Sequence, residues 1–158
     1  MKKLGEHKMT KDVIVKISGL QYLEEQNPEE PIEVITNGEY YNRNGKHYLK
    51  YDEITEGMDG VSNCMVKFKE DSFELLKKGS SNVHMIFESG KKNVTYYKTP
   101  FGNILIGLDT NSIHVDEKEQ QIQIDVKYGM DVNYEFLADC HISMSICPRE
   151  SGDFKLVM

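Results

Sequence analysis

Between Asp12 and Ile146 apolar and polar side chains alternate in short runs, and the runs are broken by glycine, proline, asparagine and serine. Val13, Val15 and Ile17 alternate with polar neighbours, as do Cys64, Val66 and Phe68 and then Val83, Met85 and Phe87. The last two runs are the most regular: Ile122, Ile124, Val126 and Tyr128, then Cys140, Ile142, Met144 and Ile146. A period of two places one face of an extended chain inside and the other in water. The pattern predicts nine or ten strands, including Ile32–Tyr41, His47–Ile54 and Ile104–Leu108.

The breaks predict how the strands connect. Asn44-Gly45 suits the positive φ angles of a two-residue hairpin. Turns are expected near Glu70-Asp71, at Lys78–Ser81, at Ser89–Lys92 and at Thr99–Asn103, with a connection or bulge at Tyr128–Asp131. Glu56–Gly60 reads as an irregular loop, and Tyr22–Pro31, with two prolines and four glutamates, reads as another. The candidate helices are single turns near Leu20–Glu25 and Asp116–Gln120. Short connections imply antiparallel neighbours, and so many short strands remove their edges by rolling into a barrel or splitting into a sandwich. The predicted organisation is a lead-in over 1–10, one all-β domain over 11–147, and a tail over 148–158 that starts where Pro148 ends the last strand.

The length of 158 residues is enough for one buried core. A net charge of -7 argues against nucleic acid or an anionic membrane as partner, both of which need a basic footprint. The charge is uneven, with an acidic run from Glu24 to Glu33 and a basic middle of Lys67, Lys69, Lys77, Lys78, Lys91, Lys92 and Lys98. The contrast is expected to mark solvated faces, with an anionic ligand or acidic partner over the middle hairpins as the sharper reading. No stretch reaches the roughly 18 apolar residues of a membrane span, and the first residues have no apolar signal region. Cys64, Cys140 and Cys147 have no paired spacing, and the first two fall on apolar strand faces. These features fit a reducing, cytoplasmic setting.

Candidate chemistry is sparse. His47, His84, His114 and His141 lie singly on different segments, which predicts surface histidines rather than a metal site. No nucleophile elbow surrounds any serine, and no glycine-rich stretch sits between a strand and a helix. Asp52-Glu53 and Asp116-Glu117 place neighbouring carboxylates on opposite sides of an extended chain and read as solubilising groups. No catalytic residue, metal or cofactor is assigned on these grounds.

The segment Tyr96-Tyr97-Lys98-Thr99-Pro100-Phe101-Gly102, followed by Ile104, Ile106 and Leu108, resembles the signature of the bacterial YwiB-like family, a domain of unknown function. Tyr48–Tyr51 with Glu56-Gly57-Met58, and Val83–Glu88 with Gly90, resemble other parts of it, so the resemblance covers about residues 31–147. It implies a calycin-type, lipocalin-like antiparallel β-barrel of about eight to ten strands, and it implies no activity. The family pattern points Tyr97 and Thr99 inward or into closure of the hairpin.

A barrel of this kind predicts non-covalent binding of a small, partly apolar ligand, with Tyr40, Tyr51, Met85, Phe87, Tyr97, Thr99, Ile106 and Tyr128 as candidate lining residues. The alternative is a filled barrel acting as a protein-interaction or homodimerisation module through its basic hairpins. A hydrolase or haem-type activity is a third, resting on fold analogy alone.

Overall fold

A computed structural model describes residues 12–19, 33–54, 60–79, 82–99 and 102–149. Ten strands form one antiparallel sheet. They are β1 (Asp12–Ser18), β2 (Glu33–Arg43), β3 (Lys46–Ile54), β4 (Val61–Lys69), β5 (Ser72–Gly79), β6 (Val83–Glu88), β7 (Lys92–Thr99), β8 (Gly102–Glu117), β9 (Ile122–Val132) and β10 (Glu135–Pro148). The sheet order is β6-β5-β4-β3-β2-β1-β10-β9-β8-β7, so β1 returns to β10 and the sheet curls into a nearly closed barrel. The described residues are all-β, as the alternation predicts.

Alternation gives each strand one inward face. Register carries that face from strand to strand in rows. One row is Phe87, Phe73, Phe68 and His47, from β6 to β3. The next is Met85, Leu75, Val66, Leu49 and Tyr40. Above it run Val83, Lys77, Cys64, Tyr51, Gly38 and Val13. On the other half of the wall Val126, Ile124 and Ile122 of β9 pair with Ile142, Met144 and Ile146 of β10, and all six are buried.

The barrel has two unlike ends. The lower end carries the β2–β3, β4–β5, β6–β7 and β8–β9 turns. At Asn44 and Gly45 φ is 54° and 81°, the positive pair that a type I′ hairpin requires. The upper end carries the other five connections, and the expected turns and loops at 20–32, 55–59, 80–81 and 100–101 lie outside the described residues, as does the predicted turn near Leu20–Glu25.

Three expectations are corrected. Asp116–Gln120 is not a helical turn. β8 stays extended to Glu117, which pairs with Ile122, and the chain then reverses where Lys118 N–H donates to Gln121 O at 2.8 Å. Tyr128–Asp131 does not hold the connection, and the bulge in the ladder at Met130–Asp131 has its extra residue, Leu137, on β10. Gly129 lies within β9, paired with Asp139 and Asp109, and its bare outer face lies under the Phe136 ring. The turn falls instead at Asn133 and Tyr134 (φ 49° and 73°), and the irregularities fall between Phe136 and Ala138 and between Thr110 and Ser112.

The third correction concerns closure. Among the described residues β6 and β7 exchange no ladder hydrogen bonds, so a seam runs down the wall. It is held near the lower end by the turn, where Lys91 N–H donates to Glu88 O, and by Asn93 Nδ2 to Glu88 Oε1 at 3.2 Å. Higher up, Thr95 Oγ1 donates to His84 O at 2.8 Å. A second interruption is a fork: β2 pairs with β1 through Glu33–Glu39 and with β3 only from Gly38 onward, so Asp52–Ile54 have β4 alone beside them.

Candidate functional site

The lower lumen is filled by rings. His47 stacks on Phe68 with centroids 4.5 Å apart, Phe68 meets Phe73 at 6.4 Å, and Phe73 meets Phe87 edge-on at 5.8 Å. Phe87 then meets Tyr128 at 4.8 Å. β6 and β9 are not neighbours in the sheet, so this last contact crosses the interior. His47 also reaches across: its Nε2 is 3.8 Å from Glu117 Oε1 on β8. The Tyr40 hydroxyl lies 2.6 Å from His47 Nδ1 and Asn42 Nδ2 lies 3.4 Å from it. Burial lowers the His47 pKa, opposed by Glu117, and burial pushes Tyr40 up to about 12. The reading of His47 as a surface histidine is therefore corrected: it shares parity with Leu49 and Tyr51 and turns inward. His84 and His141 do lie outside, each against a carboxylate, Glu74 and Asp125.

The upper lumen is different in kind. Lys77 Nζ lies 2.8 Å from Glu53 Oε1, and their side chains are only 5% and 9% exposed. The pair reaches across β4, whose buried Ser62 and Cys64 lie between them in the register. Tyr51 completes the group, paired with Cys64 across the β3–β4 ladder. Burial raises the Tyr51 pKa well above its usual value and pushes Cys64 up to about 11, with Glu53 adding to the shift at Cys64. At neutral pH Cys64 is thus a thiol, not a nucleophilic thiolate.

This ion pair escaped the sequence reading, which placed Lys77 on a solvated basic face and Glu53 among solubilising carboxylates. The signal was present in the parity of the strands. Lys77 continues the series Phe73, Leu75, and Glu53 continues Leu49, Tyr51. A charge in phase with an apolar face is either buried with a partner or ends the strand.

The predicted lining residues divide between the two ends. Phe87 and Tyr128 belong to the filled lower part, while Met85 and Tyr40 share the middle row, from which the Tyr40 hydroxyl reaches down to His47. Tyr51, Ile106 and Tyr97 lie higher, with Tyr97 half-buried against the core and Tyr96 68% exposed on the other face. Tyr97 therefore faces inward. The Thr99 side chain lies outside the described residues.

Two grooves flank the strands that carry the polar group. The fork forms the larger, about 860 Å³, where outward residues such as Lys50, Asp52, Asn63 and Lys67 share a wall with Tyr51 and Cys64 of the inner face. The seam forms one of about 580 Å³, where outward Lys78, His84, Tyr96 and Lys98 meet inward Lys77 and Val83. No helix is long and apolar enough to cross a membrane among the described residues.

Comparison with known proteins places this geometry in a known setting. A family model described as a domain of unknown function, DUF1934, matches residues 15–144. An uncharacterised β-barrel protein of Bacillus subtilis (strain 168), YwiB, is 31% identical over 113 residues, which cover 72% of this chain and 78% of that protein. The crystal structure of the YwiB protein from Bacillus subtilis matches with a TM-score of 0.71 at 23% identity, covering 94% of this chain and 99% of that one.

Proposed function

The chain belongs to the DUF1934 family of domains of unknown function, and we propose that it binds a small, partly apolar molecule non-covalently in the upper half of its barrel. One observation carries this reading: a Lys77–Glu53 ion pair is buried in a mostly apolar interior. Burying two charges costs several kcal/mol per ion before their attraction is counted, and well-packed apolar residues often serve stability as well or better. A pair retained there suits a site that must orient a polar group. Tyr51 and Ser62 supply hydroxyls beside it, and Met85, Ile106 and Tyr97 supply the apolar and aromatic wall. The ring-filled lower end serves as the floor.

The test is titration with a neutral fluorescent apolar probe, N-phenyl-1-naphthylamine. One saturable site is expected on the protein, weakened at least about fivefold in the double variant Lys77→Met/Glu53→Leu, which removes the pair without leaving one charge alone. Absence of saturable binding, or equal binding by the double variant, defeats the proposal.

A second reading draws on the β9–β10 tip. Tyr134 is 83% exposed, and Phe136 and Leu137 beside it are also exposed. Exposed apolar side chains gathered on one hairpin suit a partner surface, including that of a second copy of this chain. Light scattering on the protein and on Tyr134→Ser/Phe136→Ser tests it; a mass unchanged from the monomer in both rejects self-association.

A further inference from the structure

The β6–β7 seam carries charge of one sign. Its cavity is walled by Leu76, Lys77, Lys78, Asn82, Val83, His84, Tyr96, Lys98 and Asn103, with no carboxylate in that wall. Lys77 is held by Glu53, and His84 is held by Glu74 on the outer side. Lys78 and Lys98 are exposed and enter no ion pair among the described residues. The remaining wall is apolar or aromatic: Leu76, Val83 and Tyr96. The fork is of mixed sign, with Asp12, Glu39 and Asp52 facing Lys50, Lys67, Arg149 and the same Lys78, so Lys98 is the lysine that belongs to the seam alone.

We propose that the seam is the entrance and head-group site for an amphipathic monoanion, whose single negative charge rests between Lys78 and Lys98 while its apolar body enters past Val83 toward Met85 and Ile106. The inference rests on the reading of the upper barrel as a ligand site, and it adds the ligand's charge and its route. The route follows the open edge. Lys77 and Val83 are paired inward-facing residues of β5 and β6, Lys78 and His84 face outward, and all four line one groove beside the edge where no ladder joins β6 to β7. The single charge follows from Glu53, which already balances Lys77 and would repel a second negative charge brought inside. Lysines at the mouth attract anions through water over about 8 Å at physiological salt and so act on entry as well as on affinity.

The experiment compares two probes of similar aromatic body, anionic 8-anilinonaphthalene-1-sulfonate and neutral N-phenyl-1-naphthylamine, on three proteins. These are the native chain, the seam variant Lys78→Glu/Lys98→Glu and the fork variant Lys50→Glu/Lys67→Glu. All four substitutions are of lysines on the outer face of the barrel, and a Lys78→Gln/Lys98→Gln variant separates loss of attraction from added repulsion. The expected result is at least about tenfold weaker binding of the anion by the seam variant, with the neutral probe within about twofold on every protein and the anion within about twofold on the fork variant. A seam variant that binds the anion normally, or a fork variant that loses it equally, overturns the inference while leaving the barrel site standing if the neutral probe still binds. If neither probe binds the native chain, the barrel-ligand reading falls and takes this inference with it.

Discussion

Glu53 and Lys77 meet across an intervening strand, 2.8 Å apart and almost fully enclosed, at the point where the core of the barrel changes from rings to polar groups. Their relationship is diagonal in the register. Lys77 stands in the row of Cys64 and Tyr51, and Glu53 stands one row above it, opposite Ser62. Neither charge tolerates the loss of the other. Lys77→Ala or Glu53→Ala alone is expected to cost about 3–5 kcal/mol, whereas Lys77→Met/Glu53→Leu together should cost far less than the sum. Urea denaturation of the native chain, Lys77→Met, Glu53→Leu and the double variant closes the cycle that gives the coupling; additive losses would contradict the pairing.

Truncation of the ring layer should be more costly than any surface change. Phe87 is fully buried and touches both Phe73 and Tyr128, the latter from the opposite wall. Phe87→Ala is expected to destabilise by about 3–5 kcal/mol through lost burial and a residual cavity. A loss below about 1 kcal/mol in denaturant titration would mean that the lower lumen is not filled as described.

Acidification should act through His47. Burial lowers its pKa from the ordinary 6.5, with Glu117 opposing. Above 6.5 the ring is neutral in folded and unfolded chains alike. As pH falls below that value the unfolded chain takes up a proton that the folded one resists, so stability conferred by the neutral ring is lost as pH drops toward the lowered folded value. His47→Gln should be less stable near neutral pH, because it loses the stacking on Phe68, yet should show a shallower decline from about pH 7 to about pH 5. Parallel pH profiles for the two proteins would exclude His47 as the source.

Two glycines separate strain from collision. Gly45 has φ 81° with open space where a Cβ would stand, and Gly79 has φ 128° with the Val61 carbonyl oxygen in collision with that position. Gly45→Ala should cost about 1 kcal/mol from left-handed backbone alone. Gly79→Ala adds a backbone collision that no side-chain rotation relieves, and should cost at least about twice as much. Equal thermal shifts for the two variants would contradict the geometry at the β4–β5 edge.

Much of the wall was legible in the sequence, because parity is a local property. Ile122 to Tyr128 and Cys140 to Ile146 could be placed inside from alternation alone, and Asn44-Gly45 declared its hairpin. Long-range relations were not legible. Nothing local says that Phe87 meets Tyr128, that His47 faces Glu117, or that β6 and β7 fail to close. Gly129 was misleading because a glycine that makes room for a neighbouring ring looks the same as one that permits a turn. Lys77 and Glu53 were legible in principle, since each is in phase with an apolar face, but no local signal says that the two faces bring them together.

Native mass spectrometry of the protein, purified gently from the organism that makes it, tests the central claim most directly. The account predicts that the native chain carries a discrete added mass of one small molecule, and that Lys77→Met/Glu53→Leu, folded and purified in the same way, arrives without it. Bare protein in both cases, or the same added mass on both, would contradict a ligand site built around the Lys77–Glu53 pair.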